Sequence, residues 1–181
     1  MSKTTPNETL TATEFAITEM YRKKKARKSI FRWASFFSAI ILIAWGISPF
    51  GQFAINGVKS IDGLLFFVVK GEIPKRGDIA AFYPPRGNLY PDGMWFGKYV
   101  AGMGGDVVTL EDRNFYINNH FIGRAKPVSS GGVHLKMSSP GVIPEGYYFM
   151  WTDNEDSYDS RYADIDWIPA SSVIGRMYRI F

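Results

Sequence analysis

From Trp33 to Val58 the chain carries no charged residue, and the first half of that stretch, Trp33 to Ile47, is apolar on every face of a helix. A helix rises 1.5 Å per residue and needs about 20 residues to cross the hydrocarbon core of a membrane. Residues 30–50 meet that requirement, with Trp33 and Trp45 towards the two ends, where aromatic rings favour the interface. The pattern predicts a transmembrane helix over 30–50. Residues 11–27 place a few apolar positions among Thr and Glu and predict a short amphipathic helix ahead of it.

After residue 57 the period changes. Leu64–Val69 and Asp78–Tyr83 are short apolar runs rich in β-formers, the second stopped by Pro84-Pro85. Phe96–Ala101 and Asp106–Leu110 follow, separated by Gly102-Met103-Gly104-Gly105. Asn114–Ile117 and His120–Gly123 flank Asn118-Asn119, a two-residue hairpin signal. Tyr147–Trp151 and Val173–Ile180 complete the set, and Gly123–Pro144, rich in Ser and Gly, reads as an insertion or long loop. No long segment of helical period follows residue 58. The expected fold is mainly β, an antiparallel-sheet domain behind one N-terminal membrane helix. The expected divisions are a basic segment over 1–29, an anchor over 30–50 and a domain over 51–181.

Charge orients this arrangement. Residues 1–32 hold eight Lys/Arg against three Asp/Glu, while the rest holds 13 against 14. The basic run Arg22 to Lys28, with Arg32, directly precedes the apolar span, so the N-terminus is expected in the cytoplasm and the β domain outside it. In a bacterium this means the inner membrane, with the domain in the periplasm or on the outer surface. A cleavable leader would share the pattern, but the best small-x-small site, Gly46-Ile47-Ser48, is followed by Pro49, a poor residue after a cut. The β domain has no basic excess for nucleic acid. Membrane lipid is the expected surrounding of the anchor.

Composition then narrows the chemistry. There is no Cys, which excludes disulfides, thiolate metal sites and a Cys nucleophile, and only two histidines, His120 and His134, neither within a motif. No cofactor or metal is implied. A Ser-Lys pair is the remaining nucleophilic option. A lysine acts as base only when neutral, and its usual pKa is about 10.4, so an apolar setting must lower it. Lys98, in Met94-Trp95-Phe96-Gly97-Lys98-Tyr99-Val100-Ala101-Gly102, has that setting.

Four segments resemble the bacterial signal peptidase I family of Ser-Lys peptidases, in the order that family uses. Asn56 to Leu64, containing Ser60-Ile61, is similar to its nucleophile segment. Arg76-Gly77-Asp78-Ile79-Ala80-Ala81-Phe82 is similar to its Arg-Gly-Asp strand, and Lys98 to Asp106 to its lysine segment. Asp153-Asn154 through Ser157-Tyr158-Asp159-Ser160-Arg161 resembles its Asp-Asn…Ser-x-Asp-Ser-Arg segment. The resemblance implies that Ser60 is the nucleophile, Lys98 the general base and Ser157 the hydroxyl that orients the amine. It implies a supporting ion pair of Asp159 and Arg161. The chain departs from the family at Gly104, at Asp62-Gly63 and at Val58, which offers no hydroxyl to an oxyanion.

The implied activity is a membrane-bound endopeptidase that cuts leaders from translocated precursors, the precursor's own leader being membrane-associated. The short core and divergent nucleophile segment resemble the signal-peptidase-like proteins of conjugative transfer, which implies pilin processing. A self-cleaving Ser-Lys peptidase of the SOS-repressor type would lack the anchor. A membrane-anchored assembly protein that kept the fold and lost activity is the non-enzymatic alternative.

Overall fold

The computed structural model describes residues 12–57 and 60–181. They fall into two compact units, divided between Ile47 and Ser48. The first is a single helix, α1 (Ala12–Ile47). The expected amphipathic and membrane helices are thus one element, because nothing between Arg22 and Arg32 breaks it: the stretch contains neither Pro nor Gly. Glu19 adds ion pairs one turn on, to Arg22 at 2.7 Å and Lys23 at 3.8 Å. Glu19–Ile47 is the one helix among the described residues long and apolar enough to cross a membrane. Trp33, Phe36 and Phe37 form an aromatic cluster on it, with centroids about 6 Å apart, and all three side chains are exposed. The helix stops at Ile47 rather than at residue 50, since Ser48-Pro49 opens a turn.

The second unit is two antiparallel sheets. The larger contains β1 (Gly51–Ile55), β2 (Leu65–Lys70), β3 (Ile79–Phe82), β4 (Phe96–Met103), β9 (Tyr147–Trp151), β10 (Ile168–Pro169) and β11 (Val173–Arg179). Their order is β1-β2-β11-β3-β4-β9-β10. The smaller has β5 (Val107–Glu111), β6 (Asn114–Ile117), β7 (His120–Arg124) and β8 (Gly141–Val142), in the order β7-β6-β5-β8. The β6–β7 turn is the expected two-residue one: Asn118 and Asn119 both have positive φ, 50° and 67°, which Asn tolerates and a primed hairpin turn demands.

The principal core joins the sheets, with Val108, Phe115 and Ile117 of the small sheet against Phe82, Val100 and Phe149 of the large one. A second cluster, including Ala54, Ile61, Phe66, Val68, Ala81 and Met177, covers the other face of the large sheet. Strand β3 therefore contributes to both: Ala80 and Phe82 belong to the first cluster and Ala81 to the second. This is why Ile79-Ala80-Ala81-Phe82 is apolar without alternation. At the β11 bulge, Gly175 lies so close to β2 that an added Cβ would sit 1.9 Å from the Val69 carbonyl oxygen, so only Gly fits.

Candidate active site

Lys98 lies in the middle of β4, paired on one side with Ala80 of β3. Across the other side of β4, Tyr99 pairs with Trp151 of β9. Alternation puts the Lys98 side chain on the face shared by Ala80 and Val100, under the segment 154–161. The lysine is 6% exposed. Burial lowers its pKa from 10.5 to about 8; Asp159 opposes the shift and Arg161 adds to it. The Nζ donates to Ser157 Oγ at 2.7 Å, and the ring of Phe96 lies 5.9 Å away.

Ser157 is held from behind. Arg161 is 2% exposed and Asp159 not at all. The guanidinium donates to the Asp159 carboxylate through Nε at 2.8 Å and Nη2 at 2.9 Å. Its remaining N–H groups reach the carbonyls of Ser157 and Asn154, each at 3.3 Å, and of Arg124 at 3.0 Å. Burial works against the Arg161 charge, and the bonds to Asp159 more than offset it, so its pKa is raised. Only a planar donor fork can serve a carboxylate and three carbonyls together. Gly123 of β7 leaves room for it: a Cβ there would stand 3.0 Å from Arg161 Nη1.

Ser60 is half-buried on the loop between β1 and β2. Val58 and Lys59, including the position where the family likeness lacks a hydroxyl, lie outside the described residues. Asn56 ties the base of this loop. Its side-chain amide donates to the carbonyls of Ile61 at 2.7 Å and Gly63 at 3.1 Å, and its backbone N–H to Leu64 at 2.9 Å. The sequence marks Asn56 only as the start of the nucleophile segment, since a polar residue at the end of an apolar run carries no signal beyond a turn. Asp62, one of the departures from the family, pairs with Arg179 at 2.7 Å on the surface.

Ser60, Lys98 and Ser157 line one cavity of about 410 Å³. Its walls near β1 and β4 are apolar, with Ala54, Ile61, Trp95, Phe96 and Met177. His120 and His134 are both exposed and line no part of it. A buried amine of lowered pKa, a hydroxyl bonded to it and a second hydroxyl in the same cavity can together carry out proton transfer to and from a nucleophile.

A sequence model of the signal peptidase family, peptidase S26, matches residues 7–181. The chain belongs to this family. It is 29% identical to signal peptidase I of Bacillus licheniformis over 154 residues, covering 75% of this chain and 80% of the relative. It is 27% identical to signal peptidase I of Pseudomonas fluorescens over 144 residues, 60% of this chain and 49% of the relative. The Rickettsia typhi signal peptidase I gives 26% over 136 residues, 57% and 50%. The chain thus spans about half the length of the Pseudomonas and Rickettsia relatives. Among solved structures it is similar to a signal peptidase I from Enterococcus faecalis V583. That match has 29% identity and a TM-score of 0.40, over 58% of this chain and 97% of the other. Family membership agrees with the resemblance read from the four segments, and the mainly antiparallel β architecture is the one expected.

Proposed function

We propose that this family member is a membrane-anchored serine endopeptidase that removes leaders from translocated precursor proteins. The observation that carries the reading is the buried Lys98 amine, bonded to Ser157, in the cavity that Ser60 also lines. Ser60 Oγ attacks the scissile carbonyl carbon and its proton passes to the neutral Lys98 amine. The resulting ammonium gives that proton to the departing nitrogen as the C–N bond breaks, leaving Ser60 acylated. Water then adds to the ester, again with its proton taken by Lys98, and Ser60 is released with its proton restored. The Ser60 backbone N–H assists the oxyanion. Ser157 directs the amine, and Asp159 with Arg161 fixes Ser157.

Helix α1 is the anchor, with its basic end in the cytoplasm and the β unit outside the inner membrane. An anchored enzyme meets substrates whose own leader is in the bilayer, and the apolar cavity walls suit small residues ahead of the cut. Precursors of pilin type, as in conjugative transfer, fit this description. The deciding comparison is cleavage of precursors from the native host by wild type, Ser60→Ala and Lys98→Ala. The expected result is cleavage by wild type and a loss of roughly 10³-fold or more in each variant. Variants as active as wild type would refute the Ser-Lys pair. A wild type that cleaves none of the host's precursors would favour the inactive assembly-protein reading.

A further inference from the structure

A second cavity, of about 230 Å³, adjoins the first and shares Tyr90, Ser130, Asp156, Ser157 and Tyr158 with it. The two differ in chemistry. The first is apolar where it meets β1 and β4, whereas the second adds Lys126, Ser129 and Glu155 to its lining.

The direction of a bound peptide follows from the proton path. The nitrogen that leaves must receive its proton from Lys98 Nζ, so the chain after the cut departs on the Lys98 side. That amine is bonded to Ser157, and Ser157 lines both cavities. The residues before the cut then occupy the part of the first cavity walled by Ala54, Ile61 and Met177, and those after it pass Lys98 and Ser157 towards Tyr90 and Tyr158, whose ring centroids are 6.0 Å apart. Beyond them, Lys126 and Asp156 neutralise each other at 2.5 Å. Glu155 is exposed and has no ion-pair partner among the described residues. The charged side chains of the lining, Lys126, Glu155 and Asp156, therefore sum to one negative charge, with Glu155 acting at longer range on Lys126 and Arg161.

We infer that the second cavity is the subsite for the first residues after the cut, and that Glu155 makes it favour a positively charged side chain there. The inference rests on Ser60 and Lys98 being the peptidase pair. It fixes a substrate feature that the apolar cavity leaves open: a precursor with a basic residue at the second position of its mature end is cut in preference to one with an acidic residue there.

The test uses the full chain in detergent micelles with internally quenched peptides. Each has an apolar leader, Ala at the first and third positions before the cut, and Lys, Ala or Glu at the second position after it. Wild type is expected to show a Lys-to-Glu ratio in kcat/KM of roughly three- to fivefold at low salt, shrinking as salt rises. Glu155→Gln should bring the ratio towards one and Glu155→Lys should invert it. A ratio taken within one variant is independent of how much of that protein is folded. A wild-type ratio of one at low salt overturns the subsite while leaving the peptidase reading in place. A ratio that survives both Glu155 variants overturns the role of Glu155. If wild type and Ser60→Ala alike cleave none of the peptides, the peptidase reading fails and the subsite with it. Ser129→Trp tests the path apart from charge. It should raise KM for peptides extended four residues past the cut relative to peptides ending at the first. An unchanged KM ratio counts against the cavity as the route.

Discussion

In the proposed peptidase, the chemistry depends most on the charge state of Lys98. A general base works only as the free amine, and with a pKa of about 8 only about a tenth of the lysine is neutral at pH 7, against about nine-tenths at pH 9. The kcat/KM profile should therefore rise roughly tenfold from pH 7 to pH 9 and level off above. A profile flat across that range in wild type would contradict Lys98 as base. The same shift has a consequence for stability. The folded value lies below the unfolded value of 10.5, so between about pH 8 and 10.5 the unfolded chain holds a proton that the native one has lost. Stability contributed by this residue thus rises with pH through that window, and below it the native state carries the cost of a buried charge. Lys98→Met removes that cost. It should abolish cleavage and stabilise the protein at pH 7 by about 3 kcal/mol, measured by chemical denaturation. Equal or lower stability would mean that the amine is solvated in a way its burial does not suggest.

The loop from Asn154 to Arg161 is built around the buried Asp159–Arg161 pair, and the weight of that pair can be tested by breaking it asymmetrically. Arg161→Met leaves Asp159, fully buried, without a counter-charge, and takes the donors from three carbonyls. The expected loss is about 3–5 kcal/mol. Adding Asp159→Leu should recover much of the stability but not the activity, because Ser157 still lacks the bond to its carbonyl. Recovery of both would reduce the pair to packing. How far such features can be read from sequence depends on whether composition marks them. Lys98 stands out because lysine amid Trp, Phe, Val and Ala is chemically incongruous, and the Ser157–Arg161 segment stands out through family resemblance. Asn118-Asn119 betrays its hairpin because few residues tolerate positive φ twice. By contrast, nothing in the sequence marks β1. Gly51–Ile55 continues the uncharged span, and an apolar edge strand and the end of a membrane helix have the same composition. Strands β8 and β10 have two residues each, too few for any period. Asn56 and Glu155 acquire their roles only from which chain segments the sheet brings beside them.

The division of the chain between helix and sheets carries its own prediction. The β unit has both hydrophobic clusters and all the residues of the candidate site, whereas none of the described residues of α1 belongs to them. Chemistry on a freely diffusing peptide should not require the helix. Meeting a substrate whose leader lies in the bilayer is another matter, because anchoring both partners in one membrane replaces a bimolecular search by a confined one. Confinement of this kind raises effective concentration by roughly 10²- to 10⁴-fold without any new contact. A truncated protein of residues 48–181 should therefore cleave a soluble quenched peptide within about twofold of the full chain in the same detergent. In reconstituted vesicles it should process a membrane-inserted precursor at least roughly tenfold more slowly. The two assays separate the possible failures. If truncation removes both activities and the β unit has lost its cooperative unfolding, the helix is part of the fold. If truncation spares both, anchoring contributes nothing to substrate encounter, and the apolar span serves only to retain the enzyme at the membrane.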